Sequence, residues 1–286
     1  MAPSPLRLKR HLDALRTRYE HPGALALDPL AVVLDYPPGP DREVAAFVAA
    51  HLAYGRVEPM LRAIRAALAP LGPTPAGWLR EHPEGAARKA LAAPLAGWVW
   101  RFHTGPDLVA WLLAWRRLDR RTGGGLEPLL APSPGGGPDE ALSRLVHTLR
   151  GDLPGTPGLR FNLPDPLAGA ACKRWRMFLR WMVRPGWPDL GQWRALAPRD
   201  LVIPLDTHVA RVSRYLGLSR RATPDGRMAG EITAALARLD PADPLAYDFA
   251  LSHLGILGDC PGLRTSACRP CALYSVCRAG LAPGAP

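Results

Sequence analysis

Lysine is nearly missing from this chain. Of its 36 basic residues only Lys9, Lys89 and Lys173 are lysines; the rest are arginine. A guanidinium does not give up its proton in a protein, so nucleophilic amine chemistry is confined to those three side chains. Cysteine is also scarce over most of the length. Cys172 is the only one before residue 260, which excludes a disulfide scaffold through the body of the chain. No uninterrupted apolar run is long enough to cross a bilayer, so no membrane partner is expected. Long alternating β-branched runs are absent, which argues against a sandwich or barrel, and there is no internal repeat. The opening MAPSPLRLKRHL lacks the apolar stretch of a signal peptide, so a reducing, cytoplasmic setting is expected.

What is present is apolar and basic. Nearly half of the 286 residues are hydrophobic, enough for a sizeable core, and the net charge is +11. That length suits one large domain or two lobes around a cleft. That charge points to a polyanionic partner or an acidic membrane surface, and by itself does not choose nucleic acid. Apolar residues recur at helical spacing over 41–68, with Asp41 as N-cap, and over 105–118, 139–151, 171–184, 206–216, 227–239 and 244–257. Pro and Gly punctuate the gaps, and 122–138, with GGG and PSPGGGP, reads as a flexible surface loop. An all-α protein of two helical lobes follows. The expected boundaries are 31–155 for the first lobe, 1–30 plus 156–257 for the second, and 258–286 for a separate loop and tail.

Three segments carry candidate chemistry. In GLRFNLPDPLAGAACKRWRMFLRWMVR, Pro164, Pro166 and Gly169 enforce a turn before a helix. Lys173 falls in its first turn, beside Arg174. Arg176, Arg180 and Arg184 recur every four residues, a cationic stripe for solvent or phosphate. In RDLVIPLDTHVARVSRYLGL, Asp206 stands at the N-cap of a helix that ends at Gly217. His208 and Arg211 follow it, as candidate phosphate contacts.

The third segment holds Cys260, Cys268, Cys271 and Cys277 in the spacing C-x7-C-x2-C-x5-C. Zinc sites of four cysteines usually show two C-x2-C knuckles. One knuckle between unequal gaps fits a [4Fe–4S] cluster better, with zinc as the alternative. Arg264 sits inside the first gap, as a further phosphate contact. Further upstream, HLAYGRVEP offers Tyr54 and Arg56, and WRFHTGPDL offers Phe102 and His103 to stack on a base. Cys172 reads as a small buried residue, and Asp165 and Asp248 as spare carboxylates.

LPDP…GAACKR, then PLDTHVARV, then YDFALSHLGILGDC running into the four cysteines, come in an order that resembles the helix-hairpin-helix DNA glycosylase superfamily, of the endonuclease III and adenine-mismatch type. The resemblance covers roughly 160–277. The chain is most similar to a prokaryotic branch sharing AYGR, ACKR…MFLRWMVR and PLDTHVAR. Its separation of 33 positions between Lys173 and Asp206 is similar to that in archaeal 8-oxoguanine glycosylases. Its hairpin reads LPDPLAGAAC where the superfamily has L-P-G-V-G.

The resemblance implies a two-lobed helix-hairpin-helix fold closed by an iron–sulfur loop. It implies base-excision repair of double-stranded DNA containing a damaged base. Lys173 would be the Schiff-base nucleophile of a bifunctional glycosylase and abasic-site lyase, and Asp206 the invariant aspartate. The four cysteines would hold a [4Fe–4S] cluster, and Tyr54, Arg56, Arg174, Arg176, His208, Arg211 and Arg264 would face DNA. The protein would act as a monomer in the cytoplasm, at the nucleoid. A monofunctional glycosylase and a non-catalytic iron–sulfur DNA-binding protein are the alternatives.

Overall fold

The structure is a computed structural model describing residues 4–133 and 136–280. Among these residues the chain forms fifteen α-helices and one two-stranded antiparallel hairpin, so it is all-α in class. No helix of the described residues is long and apolar enough to cross a membrane. The chain divides into two compact units. One contains Met1–Leu25, Ala171–Arg176 and Pro198–Pro286; the other contains Ala26–Ala170 and Met177–Ala197. The expected lobes are therefore redrawn. Residues 26–30, 156–170 and 177–197 join the larger unit, and the cysteine segment belongs to the smaller unit rather than standing apart.

In the larger unit the helix Pro40–Leu52 is buried almost all round, with Val44 through Ala50 inaccessible. Asp41 is not its cap. Gly39 holds that position, and the Asp41 carboxylate instead accepts from the Ala76 backbone N–H at 2.8 Å. The periodic stretch 41–68 is two helices, because Gly55 in AYGR takes φ +92° and the chain restarts at Val57–Leu68. The helix Gly105–Thr122 opens on a capping box between Thr104 and Asp107 and closes on left-handed Gly123.

The supposed flexible loop after it is largely ordered. Leu126 and Leu130 are buried, a short helix spans Glu127–Leu130, and the Gly125 N–H donates to Asp119 at 2.8 Å. Residues 134 and 135 of that loop lie outside the described residues.

Glu43 is the organising polar group of this unit. It is 5 % exposed, and it accepts from Trp115 Nε1 (2.9 Å), the Leu126 N–H (3.0 Å) and Trp193 Nε1 (3.0 Å). A Cβ on Gly125 would lie 2.6 Å from its Oε2, so only glycine fits there. Burial pushes the Glu43 carboxyl up to about 7, against the pull of those three donors.

In the smaller unit the helix Pro5–Tyr19 starts at Ser4, whose hydroxyl accepts from the Arg7 N–H. Its buried residues Leu8, Leu12, Leu15 and Tyr19 share one face. That face packs on the helix Asp248–Ile256, which also packs on Thr207–Leu216. Lys9 pairs with Asp13 at 3.2 Å and donates to the hydroxyl of buried Tyr247. A further helix, Gly226–Ala237, is capped by Asp225.

Glu43 makes stability depend on pH. Its value of about 7 in the folded chain lies above the ordinary 4.5, so the proton binds the folded state more tightly. That contribution is complete below the ordinary value and is lost as pH rises through about 7. Denaturant unfolding should show a loss on the order of 2–3 kcal/mol across this window. Glu43→Gln should flatten the profile; parallel profiles for the two proteins would count against the assignment.

Candidate active site

The turn before Lys173 is built by residues that restrict the backbone. Gly169 takes φ +84°, its N–H donates to the Pro166 carbonyl at 3.0 Å, and the Ala170 N–H donates to the Asp165 carbonyl. Asp165 is buried and structural. It accepts from the Leu167 N–H at 3.0 Å and meets His147 Nε2 at 2.9 Å. Burial works against its charge, yet hydrogen bonds from Ser143, Leu167 and His147 hold its carboxyl below the usual range. Cys172 is 3 % exposed with φ +50°, a left-handed conformation costly for a residue with a Cβ. The helix Lys173–Val183 begins at the next residue, and the Cys172 carbonyl accepts from the Arg176 N–H at 3.0 Å.

Asp206 is the N-cap of Thr207–Leu216, and its Oδ1 accepts from the Val209 N–H at 2.8 Å. Left-handed Gly217 ends that helix. Oδ2, the oxygen the cap leaves over, lies 3.5 Å from Lys173 Nζ. The lysine side chain is 34 % exposed and the aspartate 15 %. An amine and a carboxylate thus meet in a half-buried place, within reach of solvent and of a ligand.

Cys260, Cys268, Cys271 and Cys277 line one largely apolar pocket, together with Val212, Tyr215, Leu216, Leu254, Leu273 and Tyr274. All four are free thiols, each partly exposed. Burial pushes the Cys271 and Cys277 thiols up, and the neighbouring cysteines add to this. No three His, Cys, Asp or Glu side chains among the described residues form a cage around a single ion. Four thiols turned on one largely apolar cavity are nevertheless a donor set suited to a soft metal centre.

The segment is braced from several sides. Arg211 donates to the Cys260 carbonyl at 3.2 Å, and Arg264 donates to the carbonyls of Cys277 (2.8 Å) and Tyr274 (3.3 Å). Tyr215 donates to the Gly262 carbonyl, His11 Nδ1 lies 2.7 Å from the Ala272 carbonyl, and Tyr19 donates to Asp259.

These placements correct several expected DNA contacts. Arg176, Arg180 and Arg184 are 3 %, 3 % and 2 % exposed, so they form no cationic surface stripe. Arg180 and Arg184 instead converge on the fully buried Asp189 carboxylate. Burial pushes that carboxyl up and the two guanidiniums pull it back toward its charged form. Arg211 and Arg264 donate to the cysteine segment but are not buried, Arg211 being partly exposed and Arg264 exposed. His208 lies with its ring against Gly255, its Nδ1 buried and with no hydrogen-bond partner among the described residues. Asp248 is buried at a helix start. Arg174 is partly exposed and Arg56 exposed. Tyr54 is partly exposed, with its hydroxyl 2.6 Å from His103 Nδ1.

Residues 28–257 match the model of a protein family described as of unknown function, DUF2400. The chain belongs to that family. The match takes in both Lys173 and Asp206 and ends before Cys260. No curated protein and no solved structure gives a significant match. What this DUF2400 chain does must therefore be argued from its own side chains.

The approach of His208 to Gly255 offers a test of the geometry around Asp206. A Cβ on Gly255 would lie 2.4 Å from His208 Cγ. Gly255→Ala should lower unfolding stability by about 1–3 kcal/mol. Adding His208→Ala should recover most of the loss; a single variant with an unchanged denaturation midpoint would disprove the contact.

Proposed function

We propose that this protein is a base-excision DNA glycosylase of the helix-hairpin-helix kind, bifunctional with abasic-site lyase activity. The observation that carries the reading is the meeting of Lys173 Nζ and Asp206 Oδ2 at 3.5 Å from 33 positions apart. The pair has the chemistry the reaction needs. A target base must leave the duplex stack to be reached. As the bond between sugar and base breaks, positive charge grows on the sugar, and a fixed carboxylate stabilises it.

Asp206 would take the ammonium proton of Lys173, freeing its lone pair. The amine attacks C1′, and the glycosidic bond breaks with its electron pair leaving on the base, which takes up the proton held by Asp206 and so restores the carboxylate. Opening of the sugar ring leaves a Schiff base between Lys173 and C1′, from which loss of the 3′ phosphate by β-elimination nicks the strand. Among the described residues no other lysine is as well placed for this. Lys9 is tied to Asp13 and Tyr247, and Lys89 lies on an exposed helix face.

The cysteine cavity supports a [4Fe–4S] cluster held by Cys260, Cys268, Cys271 and Cys277. When bound, that group would supply cross-linking of a loop that contains no regular element longer than one 3₁₀ turn. With the net charge of +11, this supports double-stranded DNA with a damaged base as the partner and the cytoplasm as the place of action.

Borohydride trapping on duplexes carrying 8-oxoguanine, oxidised pyrimidines, uracil or an abasic site is the direct test. Wild type should form a covalent band on at least one duplex, and Lys173→Gln should form none. Asp206→Asn keeps an oxygen for the cap and should lower the rate roughly 10²- to 10⁴-fold. A band that survives in Lys173→Gln would refute the nucleophile. Base release without any band would favour a monofunctional enzyme, and DNA binding with neither would favour a binding protein.

Protein purified without oxygen should carry about four iron and four sulfide per chain, lost together on replacing any one of the four cysteines by serine. One zinc per chain with no sulfide would overturn the cluster.

A further inference from the structure

The larger unit carries an exposed aromatic surface that the Lys173 chemistry does not use. Its base is the hairpin Val99–Trp100 and His103–Thr104, paired Val99 to Thr104 and Trp100 to His103. The two-residue turn between the strands is Arg101–Phe102. Arg101 takes φ +52°, a position where such turns usually carry glycine. That conformation is strained for a side chain bearing a Cβ, and strained residues of this kind gather at functional sites. Here the strain holds two side chains at the tip. Phe102 is 51 % exposed, and the Arg101 guanidinium lies 5.9 Å from the centre of its ring.

Phe161, 37 % exposed, stands edge-on to Phe102 at 5.2 Å between centroids, and edge-on to Tyr54 at 5.1 Å. Tyr54 and Phe102 are within 17° of parallel, 6.3 Å apart. The platform is rigid beneath: Tyr54 hydroxyl meets His103, and Trp100 Nε1 donates to the Leu52 carbonyl at 3.0 Å. Gly158 brings the Phe161 segment close to the hairpin, since a Cβ there would lie 2.5 Å from the Phe102 carbonyl oxygen.

Next to Phe161 in sequence, Arg160 lines an open cavity with Arg150, Leu153, Pro154, Gly155 and Leu163. Both guanidiniums are held by backbone carbonyls. Arg160 Nε donates to Gly155 at 2.6 Å, and Arg150 Nε and Nη2 donate to Leu163 at 3.1 and 2.7 Å. Each keeps further N–H groups for an anion, and no carboxylate lines the cavity.

We propose that this surface binds an unpaired stretch of a DNA strand. Phe102 and Phe161 take bases by stacking, Arg101 covers the stack, and the Arg150–Arg160 cavity takes a backbone phosphate. Exposed rings beside fixed guanidiniums are the combination that single strands require, with stacking tolerant of sequence and charge following the backbone. The inference stands on this unit's side chains and holds whether or not Lys173 forms a Schiff base.

The test is fluorescence anisotropy with a labelled oligothymidylate and a matched strand of base-free sugar phosphates, at several salt concentrations. Phe102→Ala and Phe161→Ala should each weaken oligothymidylate binding roughly 5- to 150-fold. They should leave the base-free strand unaffected, and Phe102→Tyr should retain binding. Arg160→Gln should weaken both strands and reduce the salt slope by about one. Wild-type affinity for oligothymidylate in both alanine variants would overturn the proposal. So would equal losses on the two strands, which would assign the rings to packing, or a wild type that prefers an RNA strand of the same sequence.

Discussion

Asp206 has two carboxylate oxygens, and each has its own task. Oδ1 accepts from the Val209 N–H and fixes the start of Thr207–Leu216; Oδ2 faces Lys173. A cap confines a carboxylate more tightly than a single ion pair does, because the bond forms only when backbone and side chain both take the cap conformation. The position of the oxygen that faces Lys173 is thereby set by the position of a helix. The same helix reaches the cysteine segment further along, where Arg211 holds the Cys260 carbonyl and Tyr215 the Gly262 carbonyl. One rod of ten residues carries the carboxylate at one end and braces the thiol-lined cavity beyond it. Order in the cysteine segment and placement of Asp206 are thus connected through the one helix that carries Arg211 and Tyr215 and is capped by Asp206.

Charge is used differently from what its total suggests. Many guanidiniums are consumed inside the fold. Arg116 donates to the Leu79 and His82 carbonyls, and Arg180 and Arg184 enclose Asp189. Arginine suits this, since its planar fork satisfies several acceptors at once and is less strongly hydrated than an ammonium. The cations left for a polyanion are the exposed ones, and Arg56, Arg101 and Arg160 are among them.

The extent to which the sequence foretold the structure follows the same division. Helix existence was legible because periodicity is a local property, and the Asp206 cap with Gly217 at the far end matched almost to the residue. The break at AYGR lay inside an unbroken apolar period, and only the positive φ of Gly55 marks it. The Arg176–Arg180–Arg184 series failed because spacing reports a shared face and not what covers it; Asp189, five positions on, was the available signal. The Arg101–Phe102 hairpin left no turn signal at all, since neither residue is one that turns prefer. The burial of Glu43 between two indoles depends on partners 72 and 150 positions away, beyond any local pattern. The four cysteines could be counted from the sequence, but their common cavity depends on Val212, Leu216 and Leu254 from two helices.

The three lysines sharpen the reading of the site. Lys9 belongs to an ordinary pair one helical turn from Asp13, and Lys89 stands on an exposed helix face. Arginine would serve in either place. Lys173 is paired across a long loop with a carboxylate that already has structural work. A part-exposed pair of this kind contributes at most about 1 kcal/mol to stability. A guanidinium would make the same contact with more hydrogen bonds. Stability therefore gives no reason for an amine at this position in a chain that otherwise chooses arginine. The property that separates the two side chains is that an amine can lose its proton and form a bond to carbon. The proposed chemistry needs that property at Lys173, which lies 3.5 Å from the Asp206 carboxylate and is 34 % exposed.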